Sequence, residues 1–295
     1  MTVIVVGAGI AGLACARELV DAGIPAKVVE RAPVVGGRLA TVRLNGRPTD
    51  VGAAYLTADD PAFLGRLQTW RIDGLARPWT DTFRGQHGPG PMRWAAPEGL
   101  RSLAEDLAHE LEITLNTELT DLPAADVVVL AMPGPQALRI ADLPAAREQS
   151  WSPSLAVVLT YPERVWPDFH GAFVNDHPIL ATVCDDGDRR GDRAPVLVAH
   201  ATPAFAAAGG DSAEVAAAVG EFLGIDQTPR LDVFPWPYAT PEPGPAGFAR
   251  EGNVYLCGDA FGRPRVQTAW LSGRAVARAI IRERQDVRER QSTER

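Results

Sequence analysis

The stretch Met1-Thr-Val-Ile-Val-Val-Gly7-Ala-Gly9-Ile-Ala-Gly12 decides the fold. Val3 to Val6 form a β-branched run suited to a strand buried in a parallel sheet. Gly7, Gly9 and Gly12 follow at the G-x-G-x-x-G spacing. The first glycine permits a tight turn and the second lets the backbone approach a pyrophosphate. The third allows the next helix to pack close to the strand, with its N-terminal amides facing the phosphates. Leu13 to Val20 predict that helix, stopped near Gly23. Lys27, Val28, Val29 and Glu30 predict a second strand ending in an acid, 23 positions after Gly7. A carboxylate there accepts hydrogen bonds from an adenosine ribose. Strand, helix, second strand and terminal acid in register point to a dinucleotide-binding, Rossmann-type α/β domain.

At 295 residues the chain has room for a substantial core and two lobes. A hydrophobic content of 46% with 22% charged residues describes an ordinary globular protein. The net charge of −8 leaves no basic stripe to neutralise phosphates, which argues against a nucleic-acid partner. It argues equally against an electrostatic hold on an anionic membrane. No apolar run approaches the ~20 residues of a membrane span, and the N-terminus lacks the basic region of a signal peptide. Cys15, Cys184 and Cys257 have no metal-like spacing and imply no disulfide framework, so a cytoplasmic setting fits. Of the 29 basic residues, Lys27 is the only lysine.

After Glu30 comes Arg31-Ala-Pro-Val-Val-Gly36-Gly37-Arg38. Two more glycines let the backbone pass close to a ligand, and Arg38 supplies a cation beside it. An ordinary nicotinamide dehydrogenase has no need of this second element, so it shifts the expected cofactor from NAD to FAD. Asn45-Gly46 marks a tight hairpin between two short strands. Asp50-Val-Gly52-Ala53-Ala54-Tyr55-Leu-Thr57 offers small residues suited to a backbone running against a flat ring. Asp60 before Pro61 caps a helix through Trp70. Leu100, Leu103, Leu107 and Leu111 mark one face of another.

Strands are expected over 113–119, 126–132, 155–161, 178–183, 196–202, 230–234 and 254–257, with a helix over 212–223. The run Asp185-Asp-Gly-Asp-Arg-Arg-Gly-Asp-Arg193 reads as a solvated hairpin loop. Near the C-terminus, Gly258-Asp259 precedes a helix that runs through Ile281. That strand–Gly–Asp–helix unit can set a carboxylate on a polyol hydroxyl and a helix N-terminus against an electron-rich ring.

These motifs together resemble flavoproteins of the amine-oxidase superfamily, and within it the bacterial renalase-like proteins. The resemblance rests on the first glycine motif with Glu30, on Gly36-Gly37-Arg38, and on Asp50 to Thr57. It continues through Arg93-Trp94, Val127 to Pro133 with Pro135-Gln136, and His200-Ala201-Thr202. It closes with Trp236-x-Tyr238-Ala239, Gly258-Asp259, Arg265-Val266 and Ala269-Trp270-Leu271-Ser272-Gly273.

The resemblance implies a Rossmann-type FAD-binding domain with a second, mixed-sheet substrate domain. The expected division is 1–60, 95–150 and 245–285 for the first, 61–94 and 151–244 for the second, and a disordered tail over 286–295. It further implies one noncovalent FAD. Glu30 and Arg31 would meet the adenosine ribose, and Leu119 the adenine. Gly9, Ile10, Ala11 and Arg38 would surround the pyrophosphate, with Gly7, Gly12, Gly36 and Gly37 shaping the turns. Asp259, after Gly258, would meet the ribityl or pyrophosphate region. Gly52, Ala53, Ala54 and Tyr55, with Val266 to Ala269, would line the isoalloxazine.

Three departures stand out. Between Leu119 and Asp126 relatives carry a small β-meander that is absent here. Where relatives have a histidine and a basic residue before Trp236, this chain has Phe234 and Pro235, neither able to donate a proton. The polar and basic residues of the middle substrate strand are replaced by Thr182-Val183-Cys184-Asp185. Amine oxidases of the superfamily also use a lysine near the flavin, and Lys27 stands on the second strand beside Glu30 instead. Tyr55, Trp94, His200, Trp236, Tyr238 and Trp270 are the candidates for contact with a small-molecule substrate, each alternatively a core residue. The expected activity is an FAD-dependent oxidoreductase, reoxidised by oxygen or another acceptor. The alternative is a flavin-binding module with a degenerate pocket.

Overall fold

The computed structural model describes residues 1–293 of the chain. They form two compact units, one of Met1–Gly37, Ala104–Ser150 and Pro241–Arg295, the other of Arg38–Leu103 and Trp151–Thr240. The sequence expectation assigned residues 38–60 and 95–103 to the first lobe. They lie in the second unit, because Asp50 accepts hydrogen bonds from Thr41 and from the Leu100 amide and so ties the two segments together.

The first unit is built on a six-stranded sheet. Its order is Ala249–Glu251, Val254–Leu256, Val127–Leu130, β1 (Val3–Val6), β2 (Ala26–Val29) and Glu112–Thr114. All neighbours run parallel except the first pair. The β-branched run is thus an inner strand, with Val3 and Val5 fully buried. Helix α1 (Ile10–Asp21) follows β1 directly, three residues earlier than the sequence expectation.

The C-terminal helix Val266–Thr293 packs along α1 so closely that a Cβ on Gly273 would overlap the Ala11 carbonyl. Glu18 of α1 pairs with Arg274 and Arg278 across that contact. The helix continues twelve residues past Ile281, correcting the expectation of a disordered tail from 286. Arg282, Asp286 and Arg290 follow at i,i+4 spacing, which supports an exposed helix. The last two residues of the expected tail lie outside the described residues. The edge strand is also shorter than expected, ending at Thr114. The Asn116 and Thr117 amides turn back onto the Ala32 and Glu30 carbonyls.

The second unit centres on a five-stranded sheet ordered Gly171–Phe173, Leu180–Asp185, Val196–Ala201, Trp151–Thr160 and Arg230–Pro241. The first three pairings are antiparallel. Helix Ser212–Leu223 covers one face, its Val215, Val219 and Leu223 sharing a core cluster with Val157, Leu159 and Leu197 of the sheet. The opposite face packs Val158, Val196 and Val198 against Val51, Phe234 and Trp236. The Asn45-Gly46 turn has both residues at positive φ, joining Thr41–Leu44 to Arg47–Asp50.

The acidic and basic run after Asp185 is not a solvated loop. It forms the helix Asp186–Arg190, with Asp185 capping the Asp188 amide and Gly191 closing the end at φ +83°. Asp186, Arg189 and Arg190 are buried. Among the described residues no helix is long and apolar enough to cross a membrane.

Candidate functional site

In the first unit the glycine motif builds a cradle from backbone. A Cβ on Gly12 would overlap the Gly7 carbonyl oxygen, and one on Gly7 would lie 2.6 Å from the Ala131 oxygen. Gly9 is the helix N-cap, with no side-chain cap and nothing within 4 Å of where its Cβ would be. The first-turn amides of Ile10, Ala11 and Gly12 have no acceptor within the helix, as at any helix start. The second glycine element docks onto this turn. The Gly36 amide donates to the Ala8 carbonyl at 2.8 Å, and Gly36 bridges Gly9 in parallel fashion. Gly37 has φ +54°, and a Cβ there would lie 3.3 Å from the Gly9 Cα.

Glu30 stands at the same place. One carboxylate oxygen accepts from the Ala8 amide at 2.7 Å and the other from the Ala32 amide at 2.8 Å. Each oxygen keeps a lone pair for a ribose hydroxyl. Uncapped amides, open space before Gly9 and an oriented carboxylate fit the adenosine diphosphate portion of FAD. Arg31 is exposed beside Glu30, and Leu119 is half-buried against the apolar cluster around Val128 and Leu130.

The C-terminal Gly-Asp element is also in this unit. Gly258, at φ +150°, has open space where a Cβ would point. Its amide donates to the Ser272 hydroxyl at 3.0 Å, and that hydroxyl donates to the Gly247 carbonyl at 2.6 Å. Ser272 therefore fixes the turn that precedes the buried Asp259, a role not read from the sequence. Val266 and Ala269 lie in the first turn of the C-terminal helix. Trp270 is buried under the Arg274 guanidinium, 4.3 Å from its ring centroid. Cys257 is a buried thiol pushed up to about 12 by burial, which suits a core residue. Lys27 pairs with Glu112 at 3.1 Å on the half-exposed side of the sheet.

In the second unit the segment Asp50–Tyr55 is held from several directions. His200 Nε2 lies 2.9 Å from the Gly52 carbonyl and therefore donates to it. Trp236 Nε1 donates to the Val51 carbonyl at 2.7 Å. Arg189 donates to the Ala54 carbonyl at 2.6 Å, and the Ala53 amide donates to the Arg38 carbonyl at 2.8 Å. Burial drives the His200 pKa down to about 4, the Gly52 bond only partly opposing it. His200 is thus a neutral imidazole that fixes a loop.

Arg189 is itself fixed by charge. Asp186 pairs with Arg189, Arg190 and Arg47, and Asp50 pairs with Arg190 at 2.9 Å. Burial opposes ionisation of Asp186, but the three arginines outweigh it and hold its carboxyl below the usual range. The i,i+3 and i,i+4 spacing of Asp186 to Arg189 and Arg190, after a capping Asp185, was the available signal for this helix.

Of the aromatic candidates, Tyr55 meets Phe83 edge-on at 5.5 Å and lies 6.4 Å from Trp79. Trp94 is buried, its backbone exchanging hydrogen bonds with Leu56. Tyr238 meets Trp151 at 6.5 Å, and Arg38 stacks over the same Trp151 while donating to the Ala239 carbonyl. Phe234 is half-buried against the cluster of Val51, Val158, Val196 and Val198. Asp185 is taken up by Arg164 and by Trp166 Nε1. The structure thus gathers Tyr55, His200 and Trp236 around one loop of the second unit, and leaves Trp270 on the first.

Residues 5–69 match the model of an NAD(P)-binding Rossmann-like domain, and residues 73–281 that of flavin containing amine oxidoreductase. A Mycobacterium tuberculosis protein, AofH, provisionally named a flavin-containing monoamine oxidase, is 47% identical over 92 residues, 31% of this chain and 19% of its own. Flavin-containing amine oxidase B of Cavia porcellus is 35% identical over 123 residues, 37% of this chain and 24% of its own. The chain thus matches about a fifth of the length of these relatives. Among solved structures, one from Exiguobacterium sp., provisionally named a protoporphyrinogen oxidase, aligns with TM-score 0.76 at 15% identity, covering 96% of this chain and 99% of that one. A putrescine oxidase bound to putrescine aligns with TM-score 0.74 at 15% identity, covering 95% and 99%. At such identities the likeness is one of fold.

Proposed function

Because the chain belongs to the family of flavin containing amine oxidoreductases, we propose that it is an FAD-dependent oxidoreductase acting on a small, planar or cyclic molecule. Within the family the reading sets it beside the renalase-like flavoproteins, on the Tyr55 segment and on Ala269 to Gly273. The observation that carries it is the docking of Gly36 and Gly37 onto Gly9, beside an uncapped helix start and the Glu30 carboxylate. A plain nicotinamide site has no use for the second turn.

Bound FAD supplies the hydride acceptor and carries the difficult step. The chain's residues supply binding and orientation. The Ile10, Ala11 and Gly12 amides would hold the pyrophosphate and Glu30 the ribose, with Arg31, Leu119 and Asp259 as further contacts in the same unit. Gly52 to Tyr55 of the second unit would serve the ring. His200, Trp236 and Arg189 keep the Gly52–Tyr55 backbone in one place, which is the kind of preorganisation that hydride transfer needs. Lysine takes no part, since Lys27 is the chain's single lysine and pairs with Glu112. Oxygen or another acceptor reoxidises the cofactor.

A second reading is favoured by Phe234 and Pro235, which cannot move a proton: a flavin-binding protein without turnover. An anaerobic stopped-flow screen of amines and dihydronicotinamides separates the two. Bleaching of the flavin band by any of them is the expected result and removes the second reading. A purified protein that stays colourless and takes up no added FAD overturns both.

A further inference from the structure

The second unit contains a guanidinium that its surroundings leave unsatisfied. Arg93 lies on the strand Arg93–Ala95 and is 4% exposed. Its charge centre sits 4.1 Å from the Phe83 ring centroid, 5.1 Å from Tyr55 and 5.4 Å from Phe173. The rings attract the cation through their faces but offer no lone pair to its N–H donors. Among the described residues its one hydrogen bond runs from Nη2 to Gln86 Oε1 at 2.8 Å. Gln86 is oriented for that contact, because its own amide donates to the Asp81 and Gly88 carbonyls. Nε and Nη1 are buried with no hydrogen-bond partner among the described residues.

The contrast with the other buried arginines is the point. Arg47, Arg164, Arg189 and Arg190 each face a carboxylate. Among the described residues no carboxylate pairs with Arg93. A buried charge with unused donors is costly, and an unsatisfied one in a native fold calls for a partner such as a water, an ion or a ligand. Tyr55, Trp79, Gln86 and Phe173 are only half-buried, so the cage walls reach the surface.

We propose that Arg93 recognises a carboxylate on the substrate, so that the chain acts on a small organic acid with a planar or apolar body. The carboxylate would lie on the guanidinium edge that Gln86 leaves free, meeting the second Nη2–H together with either Nε–H or an Nη1–H, while Phe83, Tyr55 and Phe173 pack the body beside it. The proposal rests on the oxidoreductase reading for the word substrate, and Tyr55 links it to the loop assigned to the ring.

The test uses the FAD-loaded protein, titrated with benzoate and with its neutral isostere benzamide by flavin difference spectroscopy and by calorimetry. Benzoate is expected to bind at least ten-fold more tightly than benzamide. Arg93→Gln should abolish that preference while FAD content stays unchanged. Gln86→Glu, which keeps the arginine and neutralises it in place, should weaken benzoate ten-fold or more, and covers the case in which Arg93→Gln fails to fold. Equal binding of benzoate and benzamide by the unaltered protein overturns the proposal, as does a preference that survives both substitutions. Flavin bleaching by hydride donors is measured on the same preparation. Bleaching without a benzoate preference sinks this inference alone, and a benzoate preference without bleaching sinks the oxidoreductase reading alone.

Discussion

The two units hold their ligand-facing loops by opposite means. In the first, the glycine cradle is mainly backbone on backbone: Gly12 sits against the Gly7 carbonyl and Gly36 hydrogen-bonds to Ala8, with the Glu30 carboxylate as the added side-chain brace. In the second, side chains reach in from far along the chain. His200 is 148 residues from Gly52, Arg189 is 135 from Ala54, and Trp236 is 185 from Val51. A backbone cradle is encoded by spacing, whereas a side-chain scaffold is encoded by partners that only folding brings together.

The comparison can be broken most sharply at Gly12. Gly12→Ala puts a methyl into a carbonyl that cannot move, so about 5 kcal/mol of stability should go, together with FAD retention. Denaturant midpoints and bound-flavin stoichiometry check this. Normal stability with full FAD would show that the cradle tolerates side chains after all.

Asp186→Ala tests the opposite unit. It strips Arg189, Arg190 and Arg47 of their shared carboxylate, and removing one partner of such a buried network costs about 4 kcal/mol. The loss should appear in urea unfolding, with loosened protection of the Ala54 region in hydrogen exchange. A change below about 1 kcal/mol would mean that the network is solvated, as a charged run normally is.

His200 gives a pH-dependent effect. Its folded pKa of about 4 lies below the ordinary 6.5, so the unfolded chain binds the proton more readily. The stability contributed by the neutral ring is present above pH 6.5 and is lost as pH falls toward 4, up to about 3 kcal/mol in all. His200→Gln keeps an N–H donor for Gly52 and removes the titration. Its melting temperature should decline less than that of the unaltered protein between pH 6.5 and 4. Parallel declines would count against a neutral His200.

The smallest effect is expected at Lys27. Lys27→Met removes a half-exposed pair with Glu112 and should change stability by no more than about 0.5 kcal/mol, with flavin reduction rates unaltered. A large fall in rate with any hydride donor would return the lysine to the chemistry.

The same contrast explains what could be read in advance. Glycines at fixed spacing, a capping Asp60 before Pro61 and a leucine face at 100, 103 and 107 are local signals, and each corresponds to an observed turn, cap or buried face. The run 185–193 departs from a solvated loop because Asp186, Arg189 and Arg190 satisfy one another in the interior, with Arg47 from a distant hairpin, while 191–193 stay exposed. Helix spacing was visible there, but burial was not. The boundary between the units was misplaced for a related reason, since Asp50 is recruited by Thr41 and Leu100 rather than by its neighbours in the chain.

The sequence by itself determined the dinucleotide turn, the presence of a second glycine turn and the class of cofactor, because backbone freedom at glycine is a property of the residue and its close neighbours. That the second turn docks onto Ala8 and Gly9 was decided by the fold. Tertiary structure alone decided that His200 is a neutral brace, that Asp186 gathers three arginines, and that, among the described residues, Arg93 meets aromatic rings and no carboxylate. Those properties depend on burial and on which charges meet, and neither is a property of a short stretch of chain.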